Sequence, residues 1–169
     1  VEKERLVIEL AHGFFRLPHC PGLRIVNQDI LSFVQTDPAT GYDLAFLDIF
    51  GPGVMASALY EPRLYRLLLA RMNPEGVLAI NLWSGDKPLY HKALRAVEEG
   101  SGGEVLGMAV KKRSNVILLV FPGSIPHKAI KKAQKHSVEH QRRYDLNFPQ
   151  YLKRLRRTNR LSLLRTLFS

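Results

Sequence analysis

Residues 42–50 (YDLAFLDIF) are almost continuously apolar after Asp43, and Gly51, Pro52 and Gly53 end the run. A strand with one wet face alternates apolar and polar residues. An unbroken run suits a strand covered on both faces, as in a parallel sheet. Parallel strands need long crossovers, usually helical, and the flanking sequence supplies them. Residues 61–72 (EPRLYRLLLARM) have the spacing of an amphipathic helix, with Pro62 near the start, where its missing N–H costs nothing. Asn73-Pro74-Glu75-Gly76 reads as a turn, 77–83 (VLAINLW) as a second buried strand, and 87–99 as a helix stopped by Gly100 and Gly102-Gly103. Residues 104–110 and 115–121 are two strands joined by Lys111–Ser114, a length that suits an antiparallel hairpin. Upstream, residues 4–15 have helical spacing, and Pro18, Pro21 and Gly22 break the chain. Residues 23–27 (LRIVN) suggest a short strand and 30–35 a short helix, ended by Asp37-Pro38 and Thr40-Gly41. The order predicts an α/β sheet with an antiparallel end.

The 169 residues, 46% of them apolar, suit one domain with a real core. No apolar run approaches the ~20 residues that cross a bilayer, and no charged-then-apolar signal peptide opens the chain. The first residue is Val1, already in what reads as the end of a strand, so a trimmed, processed or fragmentary chain is expected. Cys20 is the only cysteine, which excludes an internal disulfide and a cysteine metal cluster and fits a reducing, cytoplasmic location. Residues 1–110 hold 10 Lys/Arg against 13 Asp/Glu, and residues 111–169 hold 15 against 2. The net charge of +10 therefore comes from the C-terminal third. There YLKRLRRTNRLSLLRTLF interleaves Leu152, Leu155, Leu161, Leu164 and Leu167 with Lys and Arg, as a basic amphipathic helix does. It either caps the fold with a solvated face or docks on nucleic acid, acidic protein or an anionic surface.

Ligands of open α/β sheets bind beyond the carboxyl ends of the strands. Glu2, Asp29 and Asp48 all fall at such ends. Carboxylates there can accept from ribose hydroxyls, an exocyclic amine or an ammonium group, although each alone could equally be a loop acid or a helix cap. VEKERLVIELAHGFF, NQDI, YDLAFLDIFGP and LYEPRLYRLLLARMNPEGVLAINLW, in this order and spacing, resemble the spermidine synthases over roughly residues 1–121. The resemblance implies a Rossmann-like S-adenosylmethionine-dependent transferase sheet, mostly parallel with a C-terminal antiparallel hairpin. It also implies that the first strand and its Gly-rich loop are missing, since they would precede Val1. Residues 1–123 would be this α/β domain and 124–169 a basic helical extension. By the same resemblance Glu2 would hold the ribose hydroxyls, Asp29 with Ile30 the adenine, and Asp48 would stand beside the amine acceptor as the catalytic carboxylate. S-adenosylmethionine or its decarboxylated form would be a co-substrate, with no tightly bound cofactor and no metal.

The departures also matter. Gly51 stands where the family's second loop acid would anchor a diamine, which argues against putrescine. Gln28 replaces the glycine before the adenine-site acid. Two other readings stand beside aminopropyl transfer to an amine, which as this fragment alone the chain is not expected to perform: an S-adenosylmethionine-dependent methyltransferase, and a non-catalytic binding or oligomerising fragment with a basic tail. Trp83 ends a strand at the ligand-facing edge and could flank a substrate. His136 and His140 share a helix face without the carboxylates of a metal site. With the first strand missing, YDLAFLD would present an unpaired apolar edge. Either LRIVN pairs with it directly or a second copy covers it as a homodimer; the short connection favours the homodimer.

Overall fold

The computed structural model describes residues 1–51, 53–103 and 105–159, which form two compact units, Val1–Ala39 and Thr40–Ser169. In the first unit α1 (Arg5–Gly13) and α2 (Ile30–Thr36) carry the helices expected there. Residues 23–27 do not form the expected strand. Their one pairing is an isolated parallel bridge from Asn27 to Glu2, with Glu2 N–H on the Val26 carbonyl at 3.0 Å and Gln28 N–H on the Glu2 carbonyl at 3.1 Å. The chain turns into α1 at Arg5, which ends the pairing on that side of Glu2. Asn27 Nδ2 donates to the Glu2 and Lys3 carbonyls, both at 2.9 Å, and fixes this corner. Asp37, buried at the end of α2, pairs with Arg24 at 3.1 Å.

The second unit holds β1 (Tyr42–Leu47), a small antiparallel ribbon of β2 (Phe50–Gly51) and β3 (Val54–Met55), a 3-10 turn (Ser57–Tyr60), α3 (Pro62–Leu69), β4 (Met72–Trp83), α4 (Lys87–Ser101), β5 (Val105–Ala109) and β6 (Asn115–Val120), then α5 (His127–Lys135), α6 (Ser137–Tyr144) and α7 (Phe148–Thr158). The main sheet has the order β1-β4-β6-β5. The β1–β4 ladder is parallel, and β4–β6 and β5–β6 are antiparallel. The hairpin is present as expected, and the sheet is mixed.

Two expectations change. Asn73–Gly76 is not a turn between elements but a bulge within β4: Tyr42 pairs with Met72 and Leu44 with Val77, so three extra residues of β4 loop out. Gly76 fits there because a Cβ would stand 2.8 Å from the Tyr42 carbonyl oxygen. In addition, β1 is not covered on both faces. Leu47 is buried, but Leu44 is 52% exposed and Phe46 76%. Within the described part of this unit β1 has β4 as its only strand neighbour and is an edge strand.

One face of β4 places Leu78, Ile80 and Leu82 in the core, fully buried, with Leu64 and Tyr65 of α3 and Ala93 and Val97 of α4. Fully burying one such aliphatic side chain contributes about 1.5–3 kcal/mol. The Tyr65 hydroxyl donates to the Leu59 carbonyl at 2.7 Å, and burial pushes the phenol well above its ordinary range. On the other face Leu155 of α7 packs with Leu106, Phe121 and Ile125, and Ile130 of α5 lies against them. The basic helix expected at the C-terminus is realised as α7 up to Thr158; Arg160, Leu161, Leu164, Arg165 and Leu167 lie outside the described residues.

Candidate functional site

Asp48 follows directly on β1, at the carboxyl end of the parallel pair. Leu47 is level with Ile80, which brings Asp48 level with Asn81 on the opposite face of the sheet from the buried Ile80. Asn81 Nδ2 donates to Asp48 Oδ1 at 3.0 Å, and Asn115 Nδ2 donates to Asn81 Oδ1 at 3.0 Å. Sequence reasoning singled out Asp48 but gave neither asparagine a role. The available signal was two asparagines, poor strand formers, inside the apolar runs of β4 and β6. Trp83 closes β4, half-buried, with its backbone N–H on Met55 Sδ at 3.4 Å. The β2–β3 ribbon, where Gly51 pairs with Val54, follows Asp48 and carries no acid.

In the first unit the bridge places Glu2 beside Asn27, two residues before Asp29. Both acids also do local work. Glu2 Oε1 accepts from the Glu4 N–H at 2.8 Å. Asp29 is the N-cap of α2: its Oδ1 accepts from Leu31 N–H at 2.8 Å and Ser32 N–H at 3.3 Å. Ile30 is the first residue of that helix and half-buried. Asp29 is exposed and Glu2 half-buried. An open cavity of about 430 Å³ in this unit is lined by Ile8, Leu23 and Asn27 and by His12 and His19, whose rings stack at 4.0 Å. Neither Glu2 nor Asp29 lines it.

Residues 122–159 hold ten Lys/Arg and two Asp/Glu. Nine of these ten cations are exposed, Arg154 being half-buried, and none forms an ion pair among the described residues. Lys128, Lys131, Lys132 and Lys135 recur at helical spacing along α5 and share one face. The apolar stripe of α7 is already spent on the core through Leu155. Tyr144 and Tyr151 remain exposed, and the Arg143 guanidinium lies 5.3 Å from the Tyr144 ring centre. His136 and His140 sit on one side of the α5–α6 junction, ring centres 6.4 Å apart, with Glu139 on His136 at 3.2 Å.

No family model matches the chain. In sequence it is similar to the polyamine aminopropyltransferase of Neisseria meningitidis serogroup A, 25% identical over 154 residues, covering 90% of this chain and 58% of that protein. The chain thus spans a little over half the length of that curated relative. Among solved structures it is similar to human methyltransferase-like protein 13 in complex with SAH, with TM-score 0.65 and 20% identity over 92% of this chain and 69% of that one. It is also similar to spermidine synthase from Thermotoga maritima, with TM-score 0.60 and 18% identity over 79% of this chain and 49% of that one. The chain is spermidine-synthase-like and shares the α/β fold of S-adenosylmethionine-dependent transferases.

Proposed function

We propose that this chain carries nucleoside-binding and acceptor-side parts of an aminopropyltransferase-like enzyme. The observation that carries the reading is the aminopropyltransferase similarity across 90% of the chain, together with Asp48 at the carboxyl end of β1 and Glu2 and Asp29 beside the isolated Glu2–Asn27 bridge. Glu2 accepts from the donor's ribose hydroxyls, and Asp29, with Ile30 beside it, from the adenine amine. The donor is decarboxylated S-adenosylmethionine, used as a co-substrate. In the transfer the acceptor nitrogen's lone pair attacks the methylene carbon on the sulfonium. The carbon–sulfur bond breaks, its electrons return to sulfur as a neutral thioether, and the new ammonium gives up a proton. Such a displacement needs alignment and a proton acceptor more than covalent help. Asp48 is the carboxylate that receives the amine. Gly51 leaves a second ammonium of a diamine without a counter-ion, so we do not assign putrescine as the acceptor. On this reading residues 1–123 carry the chemistry in a cytoplasmic enzyme.

Methyl transfer from S-adenosylmethionine itself is the second reading, favoured by the same Gly51 and by the fold similarity to a methyltransferase-like protein. The two donors separate them, because a ligand stabilises the folded state according to its affinity. The decarboxylated donor is expected to raise the melting temperature of the chain more than S-adenosylmethionine does. The reverse order selects methyl transfer, and no shift with either donor rejects both readings.

Two partner assignments accompany the proposal. A second copy covers the apolar edge of β1 in a homodimer, which a light-scattering monomer at every concentration contradicts. The basic extension 124–169 binds a polyanion, nucleic acid being the candidate that exposed tyrosines among unpaired cations fit best. Binding of a single-stranded oligonucleotide that does not weaken with salt contradicts it.

A further inference from the structure

We infer that Asn81 and Asn115 are positioning residues that hold Asp48 in one orientation toward the acceptor amine; this rests on the transferase reading above. A carboxylate can only accept hydrogen bonds. Asp48 Oδ1 therefore requires the NH2 end of the Asn81 amide, at 3.0 Å. That choice turns Asn81 Oδ1 toward β6, where it requires a donor, and Asn115 Nδ2 supplies one at 3.0 Å. The sense of the chain is set along its whole length, with N–H groups directed toward the carboxylate.

The strands dictate this meeting. Trp83 pairs with Asn115 and Asn81 with Ile117, so the two asparagines are diagonal neighbours on one face of β4 and β6. Both lie in strands with a neighbour on each side, where apolar side chains pack better than amides. Both are half-buried, so an amide there costs free energy unless it is bonded. A relay ending on Asp48 accounts for both at once. It uses Oδ1 only, and among the described residues no protein donor reaches Oδ2. The carboxylate thus has one oxygen fixed by the sheet and the other free for the ammonium. Polarised in series, the two amides strengthen each other.

The test exploits the direction of the relay. Asn115→Asp is nearly isosteric but replaces the donor with an acceptor, forcing Asn81 to turn its NH2 away from Asp48. Asn115→Leu removes the donor without reversing anything. In the full chain, kcat/KM for the amine acceptor is expected to fall at least tenfold in Asn115→Asp and about threefold in Asn115→Leu. The donor's Kd should change less than twofold in both. A purely structural role predicts the opposite order, with leucine the more damaging. Equal rates in Asn115→Asp and the parent chain overturn the inference. A second readout is independent of transfer: the side-chain amide NMR signals of Asn81 in ligand-free protein should move in both Asn115→Asp and Asp48→Asn. If they move but no amine is a substrate, the transferase reading fails and the relay stands as structure without that role. If they do not move, the relay itself is wrong.

Discussion

Replacing Asn159 by alanine is expected to destabilise the chain by about 2–4 kcal/mol, lowering its melting temperature by roughly 5–15 °C. Asn159 caps α7 and is buried. Its Oδ1 accepts from Gly107 N–H at 2.8 Å, and its Nδ2 donates to the Gly107 carbonyl at 2.7 Å and to the Leu155 carbonyl at 2.6 Å. One side chain thus imitates a neighbouring strand for the edge of β5. Alanine leaves the Gly107 donor and acceptor unpaired, and their desolvation is no longer offset. It also loosens α7, whose Leu155 fills the core between Leu106, Phe121 and Ile125. Asn159→Asp keeps the acceptor but sets a carboxylate against two carbonyl oxygens, so it should be no better than alanine. Thermal unfolding followed by circular dichroism checks both variants. A loss under about 1 kcal/mol in Asn159→Ala would show that α7 is held by its apolar contacts alone.

Gly100→Ala should also destabilise, by about 2–3 kcal/mol, although helix propensity alone predicts a gain of up to about 1 kcal/mol. Gly100 lies in the last turn of α4 and is buried. A Cβ there would stand 2.5 Å from the Pro62 carbonyl oxygen and 2.7 Å from Tyr65 Cβ. Neither atom is the end of a flexible side chain, so α3 must move away from α4. Tyr65 would then be drawn off its hydrogen bond to Leu59. The measurable result is a lower urea midpoint with an unchanged slope. A raised midpoint would show that the two helices separate at little cost.

These contacts also show what could be read from the sequence. In the sequence Gly100 reads as a helix stop, whereas α4 runs through it to Ser101 and Gly102 takes the left-handed cap. The reason for Gly100 is a neighbour in another helix, which no local pattern reveals. Asn73–Gly76 has the composition of a turn, but the chain does not reverse there: it continues the same strand and the extra residues form a bulge. The apolar run of β1 showed a strand built for cover, yet not which side of it stands open. The hairpin β5–β6 was legible because its partners are adjacent in sequence. Asp48 was legible because a strand end is a local property. Asn81 and Asn115 became its partners only through pairing across 33 and 34 residues. Asp29 carried two meanings at once, and its capping role is now plain from the geometry.

That double role allows the most direct test of the nucleoside site. Serine caps a helix about as well as aspartate, but it is shorter and uncharged, so Asp29→Ser keeps the cap and removes the reach toward adenine. Calorimetric titration with methylthioadenosine, the thioether product of aminopropyl transfer, should detect weak binding by the parent chain. A charge-assisted hydrogen bond contributes roughly 1.5–3 kcal/mol, so the affinity of Asp29→Ser should fall about tenfold or more. Its melting temperature should stay within about 2 °C of the parent. Unchanged affinity in this variant, or no binding by the parent chain at millimolar ligand, would contradict the nucleoside site.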